Sequence, residues 1–315
     1  MKRTGQNKGF TLVELLTVMA VIALLIGLLV PALSMVKDRA KDIQQRAQFH
    51  AINTGLEMFK ADFGDYPESY DNAVQPKSAI VAANTTYCGA NKLAEAMAGL
   101  DYLGFHPNAD FRGDGVNAIA DRVAPFGMVD RIIYHPNTSY SPNWETADEN
   151  IQARKGPYVE LENANAFRMD EVYTSALAPF VAGWDGRYPL TLCDVYARKR
   201  GGAGGKKTGT PILYYRAHTN FTLQDSVTDP TASIYNFYDN DALLALNMPD
   251  DNTTPHELYR VAGQEFVNFD TMIRNKNVQM INRPYRAGSF ILISAGKDGS
   301  FGTGDDVFNF TKEAE

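Results

Sequence analysis

Cysteine and positive charge are both scarce in this chain. Only Cys88 and Cys193 occur in 315 residues, too few for a disulfide framework, so they either pair in an oxidising compartment or remain separate thiols. Lys and Arg number 30 against 37 Asp and Glu, which gives a net charge of −7. Non-specific nucleic-acid binding needs a basic surface. No nucleic-acid partner is therefore expected.

Common enzyme motifs are missing as well. The sequence contains no H-E-x-x-H, no G-x-S-x-G and no G-x-x-x-x-G-K-[ST]. Ser34 begins an S-x-x-K and Lys207 begins a K-T-G, as in serine acyltransferases of the penicillin-binding class, but the S-D-N motif of that class is absent. The sequence favours a protein that is not an enzyme.

Charge is almost absent from the stretch between Gly9 and Lys37, where Glu14 is the only ionisable side chain. The apolar run 10–33 holds about 24 residues, or roughly 36 Å of helix, enough to cross a hydrocarbon core of about 30 Å. Three basic residues precede it: Lys2, Arg3 and Lys8. The pattern predicts a membrane helix whose basic end stays in the cytoplasm.

Glu14 is the unusual residue of this run. A carboxylate in a membrane helix costs about 2.5 to 3.5 kcal/mol at the bilayer centre, so Glu14 needs a partner or an interfacial position. If the chain is cut after Gly9, the new α-amine of Phe10 is a candidate partner. The cut would precede the apolar run, unlike that of an ordinary signal peptide, so the helix would be retained. The alternative is a plain transmembrane anchor with Glu14 at the interface.

The start of the chain resembles the class III signal of type IV pilins and type II secretion pseudopilins, through Gly9, Phe10, Thr11, Leu12, Glu14 and Leu15. The resemblance implies that a prepilin peptidase cuts between Gly9 and Phe10 and methylates the new N-terminus. It also implies that Glu14 neutralises the N-terminus of a neighbouring subunit during polymerisation. Pro31 falls where this family carries a helix-kinking proline. The partners implied are the prepilin peptidase and methyltransferase, other pseudopilins in a helical filament and an inner-membrane assembly platform.

A helical pattern continues beyond the apolar run. Apolar residues recur at intervals of three and four: Val36, Ala40, Ile43, Ala47, Ile52, Leu56, Phe59 and Phe63. Polar residues fill the other positions, so the half 34–64 is amphipathic and is predicted to pack on a globular body. Gly64 is predicted to end the helix. The predicted organisation is a leader 1–9, a transmembrane half 10–33, an amphipathic half 34–64 and a globular domain 65–315.

The globular part is predicted to contain an antiparallel sheet, because strand-forming residues cluster at 212–215, 290–293 and 307–310. Segment 68–182 is rich in Asn, Asp, Gly and Pro and is predicted to be a loop-heavy surface insertion with one helix at 91–100. The step 63–67 resembles the N-G-x-Y-P step of major pseudopilins of the G type. These features predict an α+β, pilin-like fold in which a long N-terminal helix packs on the sheet.

A second informative segment spans 295–306 and combines three carboxylates with four glycines. Hard cations such as calcium accept carboxylate and carbonyl oxygens, and glycines let the backbone turn its carbonyls inward. The segment does not match an EF-hand. It resembles the C-terminal calcium loop of G-type pseudopilins, which implies Ca²⁺ held by the side chains of Asp298, Asp305 and Asp306, with the carbonyls of Ala295 and Thr303 as further ligands. The alternative is an Asp/Gly-rich turn without metal.

The sequence thus predicts a structural subunit that polymerises into a periplasmic pseudopilus of a type II secretion system. The protein would cross the bacterial inner membrane once, with its N-terminus in the cytoplasm and its globular domain in the periplasm. The first alternative is a type IV pilus subunit for adhesion or motility. The second is a membrane-tethered binding protein or enzyme that merely uses the prepilin pathway. The exported substrates, the choice between major and minor subunit and the role of 68–182 are left open.

Overall fold

The structure is a computed structural model, and it describes residues 9, 11–70, 86–113, 115–120, 128–134, 146–160, 164–173, 177, 180, 182, 186–199, 207–249 and 253–312. The chain divides into two compact units, Met1–Gln44 and Gln45–Glu315. The first unit contains the start of one long helix. The second contains the end of that helix together with every other described element.

The described residues form an α+β fold. The helices are α1 Leu12–Phe63, α2 Gly89–Ala98, α3 Ala147–Ala153, α4 Met169–Val172, α5 Asp241–Leu244 and α6 Glu265–Ile273. The strands are β1 Val116–Ala120, β2 Met128–Ile132, β3 Ala166–Arg168, β4 Leu190–Leu192, β5 Arg198–Lys199, β6 Lys207–Thr208, β7 Leu213–Arg216, β8 Phe290–Ser294 and β9 Val307–Phe308. Strands β7, β8 and β9 form a three-stranded sheet and the others form three two-stranded pairs, all antiparallel. The predicted α+β class is confirmed.

Helix α1 is long and apolar enough in its first part to cross a membrane, by length and composition. The large apolar side chains from Leu12 to Leu33 are exposed along this part. Such a surface is unfavourable in water and calls for lipid or other helices around it. Pro31 lies inside the helix. The helix ends at Phe63, and Gly64 follows with φ +87°, the left-handed conformation that glycine adopts readily at a helix end.

In the second half of α1, the buried face begins later along the helix than the sequence predicts. Ile52, Leu56 and Phe59 are buried as predicted, whereas Val36 and Ile43 are exposed. The buried stripe instead begins with two glutamines that satisfy backbone groups of the globular part. Gln48 Nε2 donates to the carbonyls of Ala164 and Cys193 at 3.0 and 2.8 Å. Gln45 Oε1 accepts the Val195 N–H at 3.0 Å. Hydrogen bonds as well as apolar packing therefore fix this half of the helix.

The central sheet is buried on both faces. Tyr214 and Leu292 lie in one apolar cluster with the α1 stripe. Their neighbours in sequence, Tyr215 and Ile291, lie in a second cluster that includes Phe269 of α6. Successive side chains of a strand point to opposite faces, so the two clusters lie on the two sides of the sheet. This explains why β8 is an unbroken apolar run rather than an alternating one.

Helix α2 is buried along its whole length, including two charged residues. The Lys92 ammonium lies 3.2 Å from Glu68 Oε1. The Glu95 carboxylate accepts the hydroxyls of Tyr87 and Tyr134 at 2.6 and 2.7 Å. Buried charges are tolerated when they are paired and hydrogen-bonded in this way.

The prediction that 68–182 is a surface insertion is wrong for this helix. The predicted helix at 91–100 is present as α2, but hydrogen bonds and close packing hold it against the core. Asn91 Nδ2 donates to the Leu190 carbonyl at 2.8 Å. A Cβ atom on Gly89 would lie 2.3 Å from the Tyr214 carbonyl oxygen, so only glycine allows this approach to β7. Part of the predicted insertion is therefore buried in the core of the fold.

The structure describes both cysteines, Cys88 and Cys193. Both residues are buried in the same apolar cluster. The Cys88 thiol donates to Asn91 Oδ1 at 3.0 Å. Apolar packing surrounds both residues in the structure. The pairing of Cys88 with Cys193 stays a prediction.

Replacing Leu56 with alanine is expected to lower the free energy of unfolding by about 2 to 5 kcal/mol, because Leu56 is fully buried between α1 and the sheet. The measurement is urea unfolding of a fragment lacking residues 1–33. Met58→Ala is the matched control, since Met58 lies on the same helix but is 52% exposed, and it should change stability by no more than about 0.5 kcal/mol. An equal loss of stability in both variants would contradict the burial of the α1 face that carries Leu56.

Candidate functional site

The N-terminus of α1 is closed by a reciprocal pair of hydrogen bonds. The Thr11 hydroxyl accepts the Glu14 N–H at 3.2 Å, and Glu14 Oε2 accepts the Thr11 N–H at 2.9 Å. The Thr11 hydroxyl also donates to Glu14 Oε2 at 2.8 Å. This is a capping box, which satisfies two backbone N–H groups that a helix start leaves without partners.

The capping role of Thr11 and Glu14 was not predicted, although the sequence carries its signal. Thr11-Leu12-Val13-Glu14 fits the pattern [ST]-x-x-[DE] directly before an apolar run. Glu14 was considered as a charge in a membrane helix and not as a helix cap. In the isolated chain, the Glu14 carboxylate accepts hydrogen bonds from Thr11 at the start of the same helix.

The predicted processing residues stand just before this cap. Gly9 is exposed, and a Cβ atom built on it would meet nothing within 4 Å. The chain's own fold therefore does not require glycine at this position. Phe10, the residue predicted to become the new N-terminus, lies outside the described residues.

The second predicted site, segment 295–306, connects β8 to β9. Asp305 closes this loop, because its Oδ2 accepts the N–H groups of Lys297 and Asp298 at 2.7 and 3.0 Å. Its Oδ1 accepts the Thr303 hydroxyl at 2.5 Å. Burial raises the pKa of Asp305, but these hydrogen bonds outweigh it and bring the pKa below the usual value. Asp305 is therefore ionised and bound to the start of its own loop.

Asp298 lies beside Asp305. Burial raises the pKa of the Asp298 carboxyl, and the negative charge of Asp305 raises it further. Asp298 Oδ1 accepts the Ser300 N–H at 2.8 Å, a turn that the loop makes on itself. Like charges held together favour protonation of one of them or binding of a cation.

One carboxylate oxygen of Asp306 has no hydrogen-bond partner. Its Oδ2 accepts the Gly302 N–H at 2.8 Å, whereas its Oδ1 is buried without a hydrogen-bond partner. Burial raises the pKa of Asp306 to about 8. A buried carboxyl group with an unsatisfied oxygen is stabilised by a proton or by a cation.

The donor types of this loop fit calcium, but the three carboxylates do not converge on one point. Among the described residues, no group of three or more His, Cys, Asp and Glu side chains lies close enough to hold a metal ion. The Thr303 hydroxyl is bound to Asp305, and Ala295 is buried at the end of β8. The arrangement is a loop closed by its own hydrogen bonds. The predicted calcium site stays a prediction.

The start of the chain matches a known family model. The prokaryotic N-terminal methylation motif matches residues 5–30. This range contains Gly9, Phe10 and the capping box of α1. The predicted recognition of a prepilin-type N-terminus is confirmed by this match.

Three curated proteins are similar to the chain. The type II secretion system core protein G of Escherichia coli K12 is 34% identical over 67 residues, which are 21% of this chain and 46% of that protein. Core protein G of Pseudomonas aeruginosa is 34% identical over 64 residues, 20% of this chain and 45% of that protein. The type IV wide pilus major component PilA4 of Thermus thermophilus is 34% identical over 80 residues, 25% of this chain and 61% of that protein.

The chain therefore spans about half the length of the curated relatives it matches. No solved structure matches. The predicted resemblance to pseudopilins of the G type is confirmed by the two core proteins G. A pilus protein is also among the relatives, and none of the three is named as an enzyme.

Proposed function

We propose that this protein is a structural subunit of a periplasmic pseudopilus in a type II secretion system, and that it polymerises through α1. The observation that carries the proposal is the methylation motif over residues 5–30 at the start of a helix whose apolar surface is exposed. Cleavage between Gly9 and Phe10 by the prepilin peptidase and methylation of the Phe10 amine would prepare the chain for assembly. The exposed first part of α1 then supplies an apolar surface that neighbouring subunits cover.

Glu14 provides the charge for this assembly. Cleavage creates a positive α-amine at Phe10, and the Glu14 carboxylate is the only negative side chain of the apolar run. Placing the amine of an incoming subunit beside Glu14 of its neighbour would offset the cost of a charge in the membrane. The carboxylate would then exchange hydrogen bonds of its own capping box for an ion pair between subunits.

The proposed topology places residues 1–9 in the cytoplasm and the unit from Gln45 onward in the periplasm of a single-pass inner-membrane protein. The basic residues at the start and the apolar helix support this orientation. Further partners would be the other pseudopilins and the inner-membrane assembly platform.

Calcium is proposed as the ligand of the β8–β9 loop. Asp298, Asp305 and Asp306 would supply carboxylate oxygens, and the carbonyls of Ala295 and Thr303 would complete the set. The bound ion would neutralise the close carboxylates and use the Asp306 oxygen that has no hydrogen-bond partner. By fixing this loop, calcium would order the surface that subunits present to each other.

Deletion of the gene tests the proposed function. We expect the deleted strain to lose exported proteins from the culture medium while fibres sheared from the cell surface remain, because a periplasmic pseudopilus drives export. The parent strain and a strain complemented with the full chain serve as controls. Loss of surface fibres with export intact would instead assign the protein to a type IV pilus, the alternative that similarity to the Thermus pilus protein favours. No change in either would support a tethered protein.

A further inference from the structure

The backbone that follows β4 is hydrogen-bonded to the buried face of α1. Gln48 Nε2 donates to the Cys193 carbonyl at 2.8 Å, and Gln45 Oε1 accepts the Val195 N–H at 3.0 Å. The two glutamines are about one turn apart on the helix, and their partners stand on either side of Asp194. The contacts of α1 therefore fix the backbone of Asp194 from both sides.

The Asp194 carboxylate connects this backbone to the end of β8. Asp194 is buried, with 1% of its surface exposed. Its Oδ1 accepts the Thr210 N–H at 3.1 Å, and its Oδ2 accepts the Ser294 hydroxyl at 3.0 Å. The Ser294 oxygen in turn accepts the Gly296 N–H at 3.2 Å. A continuous series of hydrogen bonds therefore leads from α1 to the first turn of the β8–β9 loop.

Gly296 is packed against the residue that closes this loop. Its φ is +63°, and a Cβ atom built on it would lie 2.3 Å from the Asp305 carbonyl oxygen. Asp305 Oδ2 accepts the N–H groups of Lys297 and Asp298. Because the contact between Gly296 and Asp305 is so close, a shift of Gly296 must displace Asp305 or break these two hydrogen bonds.

The far end of the loop is also bonded to α1. Asn309, which follows β9, donates from Nδ2 to Asn53 Oδ1 on α1 at 3.1 Å, and its Oδ1 accepts the Leu292 N–H at 3.0 Å. The helix therefore contacts the chain on both sides of the loop through polar groups. Such bonds tolerate only small changes of distance.

The middle of the loop is held by a different part of the fold. The Phe301 carbonyl accepts the Leu258 N–H at 2.9 Å, and the Ser300 oxygen accepts the Glu257 N–H at 2.8 Å. Both donors belong to the 3₁₀ helix Glu257–Tyr259. The first turn of the loop, 296–298, is therefore the part that depends on Asp194.

We propose that Asp194 is a positioning residue that couples the contacts of Gln45 and Gln48 to the conformation of loop turn 296–298. When the two glutamines are bonded, Asp194 holds Ser294 and the turn is closed; when they are not, Asp194 and Ser294 can shift and the turn opens. A hydrogen-bonded network with two arrangements can carry such coupling, and coupling acts in both directions.

This coupling is a property of a single chain and requires neither polymerisation nor a bound cation. In the proposed filament it would link the packing of α1 to the surface around the β8–β9 loop. Only that consequence rests on the proposed function.

Hydrogen exchange of the detergent-solubilised full chain tests the coupling. Gln48→Leu removes the hydrogen bonds of this amide, and we expect the Lys297 and Asp298 amides to exchange at least about tenfold faster, because local opening sets their exchange. The β8 amides report global unfolding and normalise the rates. Gln224→Leu is the matched control, since Gln224 is also buried and donates to a backbone carbonyl, that of Tyr235 at 2.9 Å, but lies outside this network. It should leave both normalised rates unchanged.

Ser294→Ala tests the same network from the loop side. It removes one hydroxyl and leaves both glutamines in place. Reciprocal coupling predicts faster exchange of the Val195 N–H, which bonds to Gln45. In the double variant with Gln48→Leu, the acceleration at the loop amides should be smaller than the product of the two single effects, because both changes break one connected network.

Three results would each overturn the inference: unchanged loop exchange in Gln48→Leu, equal acceleration in Gln224→Leu, or single effects that multiply in the double variant. If Gln48→Leu does not fold, Ser294→Ala decides, because faster Val195 exchange supports the coupling and the parent rate refutes it. None of these results depends on whether the protein assembles, so the coupling and the proposed function fail separately.

Discussion

A chain carrying Glu14→Gln is expected to be cleaved normally and to form no filaments. Glutamine can replace glutamate in a capping box, so the hydrogen bonds from Thr11 to position 14 can persist. What is lost is the negative charge that would pair with the α-amine of a neighbouring subunit. An unpaired charge costs about 2.5 to 3.5 kcal/mol at the bilayer centre and less towards the interface, so the lost ion pair disfavours insertion of the next subunit. The measurement is the yield of filaments beside the extent of cleavage.

Thr11→Ala is the matched control for this prediction. It removes the hydroxyl that caps the helix but keeps the Glu14 charge, and cap losses cost about 0.5 to 2 kcal/mol in soluble helices. We therefore expect a reduced but measurable filament yield. The opposite pattern, with Glu14→Gln assembling at the parent level and Thr11→Ala failing, would show that Glu14 serves the cap and not the neighbour.

Calcium is expected to raise the melting temperature of the fragment lacking residues 1–33 by several degrees. A ligand present at 100 times its dissociation constant stabilises a protein by about 2.7 kcal/mol, and each kcal/mol shifts the melting temperature of a domain of about 150 to 250 residues by roughly 2 to 4 °C. The physical source is relief of repulsion between Asp298 and Asp305 and use of the Asp306 oxygen that has no hydrogen-bond partner. Thermal unfolding with millimolar calcium and with chelator measures the shift.

Asp305→Ala should abolish the calcium-dependent shift. This change also removes the hydrogen bonds from Lys297 and Asp298, so the variant is expected to melt lower even with chelator. Asp229→Ala is the control, because Asp229 is likewise an aspartate that accepts N–H groups of its own turn, at 2.9 and 3.2 Å, but lies outside the loop. It should keep the full shift. A parent fragment that melts at the same temperature with and without calcium would refute the site.

Features encoded locally could be predicted from the sequence. The end of α1 at Gly64 depends on one left-handed residue, and β8 depends on consecutive strand-forming side chains. Both are properties of a few neighbouring residues. The motif around Gly9 is equally local, and this explains why it was identified correctly.

Features that depend on distant partners could not be predicted. Gln45 and Gln48 are polar, and only the backbone groups of residues more than 100 positions away make them core residues. Lys92 and Glu95 are charged residues that are buried for the same reason, since their partners come from separate loops. For the calcium loop, composition predicts the donors, but their convergence depends on the fold of the loop and on the ion itself.

The burial of α2 determines how this protein can be shortened. Trimming 68–182 to bring the chain nearer the length of a core protein G would remove a helix that contacts both β4 and β7. The Leu190 carbonyl, which accepts from Asn91, would then be exposed to water. The Tyr214 backbone, against which Gly89 packs, would be exposed as well. A truncation that retains the native packing must spare 86–98 and the two tyrosine hydroxyls that hold Glu95, together with the Ala164 carbonyl that accepts from Gln48 and strand β3, which pairs with β4. Shorter versions of this protein are therefore expected from removing loops between these elements, and not from excising the region as a block.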